Sequence, residues 1–356
     1  MAVGTLAGTI PAQRCSQSMS MQFAFVLAPI CLAAIVGGSV WLASELEELD
    51  RVYLLLPGLL GLITALGADS PEISSALTAI VGGENEVGAG IVLGSNLFNL
   101  AALIGVSALV AGPVATPRRV FAFGGAVSLV ETALAACVLL KILTPIVGAL
   151  AIAIVFAIYA IVLSVRPETA GRLPFPERVA NGVVALLKSA HVDVARRAGR
   201  GDDEKEDASA GFSLALRTAL ALGLVVAGSY GVVHSTLRIG AALDVKKELV
   251  GSLVLACLTG IPNLYTALRL ALKGKGAAVV SEALNSNTIN ILVGIALPAL
   301  IFGASAKPVA VLEMWWLLGV TGVVLALGLM SSGFTRLGGG AVIAVYFGFV
   351  AWRVLV

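Results

Sequence analysis

The chain has 356 residues, 58% of them hydrophobic and 12% charged, with a net charge of +2 and a mean hydropathy of +1.00. A soluble domain carries about twice that share of charge, so the composition describes a polytopic membrane protein. No stretch interleaves basic and aromatic residues, so no nucleic-acid partner is expected. The four cysteines, Cys15, Cys31, Cys137 and Cys257, lack CxxC or CxxH spacing, and the three in apolar segments read as buried free thiols, while two histidines, His191 and His234, are too few for a His-ligated metal.

Residues 1–21 read as an N-terminal extension, small and polar, with Arg14 as the one basic residue. About ten apolar runs follow, each near the length a bilayer needs: 22–43, 52–81, 87–112, 119–140, 143–165, 212–234, 248–272, 277–304, 309–332 and 337–355. Between the fifth and sixth lies a polar segment, 166–211, in which an amphipathic stretch (ERVANGVVALLKSAHVDVARRAG) precedes the mixed-charge linker GDDEKEDASAG. Glu131 lies inside the fourth run and reads as a helix-packing contact, with a proton relay as the other reading. Glu313, before Met314-Trp315-Trp316, looks like a position in an interfacial aromatic belt.

The two halves repeat. Pro71 and Pro262 are 191 positions apart, and that offset lays SPEISSALTAIVGGENEVGAGIVLGSNLFN over IPNLYTALRLALKGKGAAVVSEALNSNTIN without a gap. Gly83/Gly274, Ser95/Ser286, Asn96/Asn287 and Asn99/Asn290 are identical pairs. Apolar matching by chance does not produce Pro, Gly and S-N-x-x-N together. Five runs per half is an odd number, so the second copy enters the membrane in the opposite sense. The expectation is an all-α membrane protein of ten transmembrane helices, built as two inverted five-helix repeats, 22–165 and 212–356, with helices 2 and 7 broken. Counting Lys and Arg in the loops puts 166–211 in the cytoplasm and both termini outside.

The chemistry concentrates in the repeated segments. Gly67 and Pro71 interrupt the second run; Gly260 and Pro262 interrupt the seventh. A proline frees the carbonyl four residues earlier, here those of Gly67 and Leu258, and bare backbone at membrane depth is tolerated only beside protein or water. Asp69 and Glu72 stand three apart, able to share a helical face. Ser95 and Asn99 stand four apart, with Asn96 beside them. The second copy supplies Thr259, Asn263, Ser286, Asn287 and Asn290. Carboxylate, amide, hydroxyl and carbonyl oxygens suit hard cations such as Ca²⁺ and Na⁺. No Lys or Arg in the neighbouring apolar runs is placed to neutralise Glu72, so a transported cation is expected to do so; no cofactor is expected.

GADSPE followed by GIVLGSNLFN resembles the first α-repeat of the cation/calcium exchanger superfamily, whose usual form is GTSxPE…GNxxGSNxFN; the second repeat matches it less well. The resemblance implies a secondary antiporter of the sodium/calcium exchanger type, exchanging Ca²⁺ against Na⁺ or H⁺ by alternating access in the cell membrane, with inorganic cations and the lipid bilayer as its partners. It makes Glu72 and Asn263 the central pair of ligands, Ser95, Asn99, Ser286 and Asn290 the supporting ones, and places Thr259 on the Thr of GTS. The family has an acid at both central positions, whereas here the second is Asn263. Either Asp69, in place of the usual Ser, or Glu282, in line with Ser286 and Asn290 on one helical face, is expected to restore the second carboxylate; the other reading of Glu282 is a solvated acid at the membrane interface near Ser281, unrelated to transport. Otherwise the missing charge implies monovalent or other altered specificity. A channel would use a similar cage of oxygens, and a non-transporting cation sensor is a third reading. An intramembrane protease is disfavoured, since neither histidine lies near a GxSx segment and no second aspartate lies in a GxGD context.

Overall fold

In the computed structural model the described residues are 20–53, 62, 65–164, 208–302, 308–331 and 333–355. Most of the N-terminal extension, the amphipathic stretch and the 166–207 part of the linker lie outside them. Long apolar runs with few charges leave the backbone no hydrogen-bonding option in lipid except its own helix, and the chain folds accordingly. The helices are α1 (Met21–Tyr53), α2 (Ser70–Val81), α3 (Asn85–Ala111), α4 (Arg118–Leu139), α5 (Pro145–Ser164), α6 (Ala208–Ala242), α7 (Lys247–Leu272), α8 (Gly276–Ile301), α9 (Pro308–Ser331) and α10 (Arg336–Leu355). Among the described residues nine helices are long and apolar enough to cross a membrane; α2 is the described end of the second apolar run. Two short strands, β1 (Val114–Ala115) and β2 (Gly333–Phe334), pair antiparallel with Val114 opposite Phe334.

The repeat is visible in the backbone. After α2 the chain turns through Gly83 at φ 83°, and after α7 through Gly274 at φ 70°. Both φ values lie in the left-handed region that glycine enters without a steric penalty. The residues that follow, Glu84 (φ −96°, ψ 58°) and Lys275 (φ −92°, ψ 52°), also match. A π-helical segment, Leu100–Val106, continues α3, and another, Leu292–Ala296, lies at the equivalent place in α8.

Two contacts fix the sense of the copies. At one end, Lys247 at the start of α7 bonds Glu84 at the end of the α2 hairpin, with Nζ 2.6 and 2.8 Å from its two carboxylate oxygens. The helix α7 thus begins where its counterpart α2 ends. At the other end, Gly276 at the start of α8 lies against the backbone of Val114 and Ala115, just past the end of α3. The two copies therefore run in opposite directions, the inversion that the odd run count requires.

Small residues bring the copies together. A Cβ on Gly94 of α3 would overlap the Ser252 carbonyl of α7, and one on Gly251 would meet the Val87 backbone. With Gly90 one turn earlier, this is close small-residue packing between membrane helices.

The expected breaks take two forms. In the first copy the helix loosens to a turn at Asp69, which precedes α2, and Pro71 stands in its first turn. The Gly67 carbonyl is not left bare there, because the Ser70 hydroxyl donates to it at 2.7 Å. In the second copy Pro262 sits inside a continuous helical stretch, and the irregularity is displaced upstream into a π-helical segment, Val250–Leu255. A π-turn relaxes the ladder without ending the helix, and α7 is unbroken at Gly260 and Pro262. Helix α6 grips the first break: Ser229 Oγ lies 2.6 Å from Ser74 Oγ and donates to the Pro71 carbonyl at 3.4 Å.

Glu313 is corrected by the structure. It is buried, not interfacial, and accepts from Arg353 Nε of α10 at 2.6 Å, with both side chains 3% exposed or less. Trp315, two residues on, is the exposed member of that stretch.

Candidate cation site

The turn at Asp69 and the first turn of α2 aim two carboxylates into the protein centre, where α2, α3, α7 and α8 meet. Asp69 and Glu72 are both 0% exposed. Asn263 of α7 joins them: its Nδ2 donates to Asp69 Oδ1 at 2.8 Å and to Glu72 Oε1 at 2.9 Å. Ser286 of α8 donates to Asp69 Oδ1 at 2.6 Å. Asn99 of α3 donates to Ser286 Oγ at 2.9 Å and to Glu72 Oε1 at 3.4 Å. Five side chains from four helices, two helices of each copy, thus form one hydrogen-bonded cluster.

The donors and acceptors do not balance. Asn99, Asn263 and Ser286 spend their donors within the cluster, while Asp69 Oδ2, Glu72 Oε2, Asn99 Oδ1 and Asn263 Oδ1 are buried with no partner among the described residues. Buried polar atoms are nearly always paired, and every atom left over here is an oxygen acceptor. Among the described residues no Lys or Arg pairs with either acid; the ion pairs lie elsewhere, as in Arg217–Glu45, Lys247–Glu84 and Arg353–Glu313. Two buried carboxylates without a counter-ion are costly. A cation or protons meet that cost, and a set of carboxylate and amide oxygens suits a hard cation. Among the described residues no three His, Cys, Asp or Glu side chains are grouped to hold a metal ion.

The remaining sequence candidates lie outside the cluster. Ser95 is buried but donates to the Val92 carbonyl of its own helix at 3.1 Å. Thr259 likewise donates to Leu255 O at 2.9 Å. Asn290 donates to Asn96 Oδ1 at 3.0 Å, within a second network. There, Asn96 Nδ2 reaches the Asn287 carbonyl at 3.4 Å, and Asn287 Nδ2 reaches Ser128 Oγ and, at 3.1 Å, Thr132 Oγ1 of α4. Glu282 is 8% exposed, with both oxygens unpartnered; it stands one turn before Ser286 and within electrostatic range of Asp69 and Glu72. Sequence reasoning did not find Ser128 and Thr132, which are single hydroxyls in an apolar run.

Inverted repeats enclosing acids and amides at their meeting point define a membrane protein of the secondary-transporter class. The family model described as sodium/calcium exchanger protein matches residues 23–166 and 213–355, and the chain belongs to that family. It is 36% identical over 85 residues to the sodium/potassium/calcium exchanger 1 of Bos taurus and to exchanger 2 of Homo sapiens. Each match covers 23% of this chain but only 7% and 13% of those longer proteins. Among solved structures, the H+/Ca2+ exchanger CAX superposes with a TM-score of 0.67 at 16% identity, over 96% of this chain and 85% of that one. The sodium-calcium exchanger NCX_Mj gives 0.61 at 21% identity, over 93% and 99%. At such identities the likeness establishes the shared fold; the long apolar helices and the family make the chain an integral membrane protein.

Proposed function

We propose that this chain is a secondary active antiporter that exchanges Ca²⁺ against Na⁺ or H⁺ by alternating access. The observation that carries the reading is the set of four unpartnered oxygens on Asp69, Glu72, Asn99 and Asn263, buried between oppositely running repeats. The transported ions complete that set and neutralise its charge. Family membership and the names of the similar proteins, each an exchanger of Ca²⁺, support the same cargo.

In this reading Glu72 and Asn263 are the central ligands and Asp69 supplies the second carboxylate, held in place by Asn263 and Ser286. Asn99 and Ser286 support them. Ser95, Thr259 and Asn290 serve at the edge: a hydroxyl that donates to its own helix keeps lone pairs for an ion, and Asn290 acts through Asn96. Glu282 offers a further acid one turn away. The inverted halves, 22–165 and 212–356, form the two moving modules. One end closes where Lys247 meets Glu84, the other where β1 meets β2 and Gly276. The protein sits in the cell membrane with both termini outside and 166–211 in the cytoplasm. Asn263 favours a second reading, exchange of a monovalent or another divalent cation, because it removes one negative charge from the family's usual cage.

Uptake into proteoliposomes under imposed Na⁺ and H⁺ gradients, tested separately against Ca²⁺, decides among these. Coupled, saturable counterflow with Ca²⁺ as cargo supports the proposal. Conductance without counterflow marks a channel, and binding without movement marks a sensor. Uptake that survives Asp69→Asn and Glu282→Gln together, but not Glu72→Gln, removes the role of both additional acids.

A further inference from the structure

Glu131 is the buried acid that the central cluster does not use. It stands midway along α4, is 0% exposed, and neither carboxylate oxygen has a hydrogen-bond partner among the described residues. Among the described residues it makes no polar contact, so packing alone does not account for its charge. Helix α4 lies against α5, α8 and α9. From α8, Asn287 bonds Ser128 and Thr132, the residues three before and one after Glu131, and keeps its own Oδ1 buried and unpartnered. From α5, Tyr159 is the titratable neighbour within electrostatic range, and its hydroxyl donates to Asn285 Oδ1 of α8 at 2.5 Å. The acid of α8, Glu282, interacts with Asp69. The acid of α9, Glu313, is paired with Arg353. No basic residue among those described is paired with Glu131.

A carboxylate with neither donor nor counter-ion does not persist as a bare anion in a dry interior. We propose that Glu131 is a second ion-binding position in this chain, that it holds a proton, and that the central site reads its occupancy through Asn287. A proton fits better than a metal ion. The Ser128 and Thr132 hydroxyl oxygens already accept from the Asn287 amide, and the Ser128 carbonyl accepts from the Thr132 hydroxyl at 2.7 Å, so the oxygens beside Glu131 are already engaged. A protonated carboxyl, by contrast, needs only one acceptor, and the buried Asn287 Oδ1 still lacks a donor. The route to the centre is short. Asn287 follows Ser286, which donates to Asp69 at 2.6 Å, and its carbonyl accepts from Asn96, three residues before Asn99. Ionised Glu131 competes for the Asn287 amide, pulls it from Ser128 and Thr132, and disturbs Ser286. The protonated form is thus the transport-competent one.

The proton itself does not depend on the antiport reading, whereas the coupling does, so the test has two arms on the full chain. Infrared difference spectra of the purified protein, titrated from acidic to alkaline pH, are expected to show a protonated-carboxyl stretch that disappears on alkalinisation and is missing in Glu131→Gln. Ca²⁺ uptake in proteoliposomes is expected to fall on the alkaline side in the unaltered chain. Glu131→Gln, a mimic of the protonated form, is expected to match its acidic-side uptake and lose the alkaline fall. A spectrum without the band, or a Glu131→Gln profile that follows the unaltered one, overturns the proposal. If neither chain moves Ca²⁺ under any gradient, the antiport reading fails and the infrared arm alone decides the proton site.

Discussion

Replacing Asn263 with aspartate restores the family's usual acid and turns the central cluster against itself. Asn263 donates to Asp69 at 2.8 Å and to Glu72 at 2.9 Å. A hydrogen bond to a charged group stabilises by about 1.5–3 kcal/mol, so removing both costs roughly 3–6 kcal/mol. The new carboxyl also faces two others at contact distance. Like charges 4 Å apart repel by about 4 kcal/mol at an effective dielectric near 20, and these are closer. With Ca²⁺ bound, the same added charge becomes attractive. Asn263→Asp is therefore expected to melt well below the unaltered chain in chelator and to regain most of that loss in saturating Ca²⁺, since a ligand selective for the folded state stabilises by mass action. Thermal denaturation in detergent with and without Ca²⁺ measures both. An Asn263→Asp chain as stable in chelator as the original, with no larger Ca²⁺ shift, refutes the reasoning.

Two other substitutions test the frame around the site. Gly94→Ala puts a methyl into the Ser252 carbonyl of α7, and such overpacking costs about 1–3 kcal/mol; lower thermal stability and weaker Ca²⁺ binding are expected together, because α3 and α7 both supply the cluster. Arg353→Met leaves Glu313 buried and unpaired, at a cost of about 3–5 kcal/mol, whereas Arg353→Met with Glu313→Met is expected to recover most of the lost melting temperature.

Much of the frame was legible because it is written in spacing. The 191-residue offset aligned the copies, and the two glycine turns at Gly83 and Gly274 show the same alignment in the backbone. Asp69, Glu72, Asn99, Asn263 and Ser286 were all candidates, and they form one cluster. Other features depended on side-chain direction, which spacing does not encode. Ser95 and Thr259 turn back to carbonyls of their own helices, an option open to any helical hydroxyl. Glu313 finds Arg353 forty residues on, and its neighbouring tryptophans suggested an interface instead. Pro262 lies inside the unbroken part of α7, and the irregular stretch is the π-helical segment Val250–Leu255 before it, which proline spacing does not encode.

The central claim is that the Glu72 carboxylate touches the transported ion. Equilibrium binding of radiolabelled Ca²⁺ to purified Glu72→Gln, beside the unaltered chain, tests it most directly. The account predicts that binding is lost while the folded helical protein remains, since the glutamine keeps the side chain's size and removes its charge. Undiminished Ca²⁺ affinity in Glu72→Gln would contradict it.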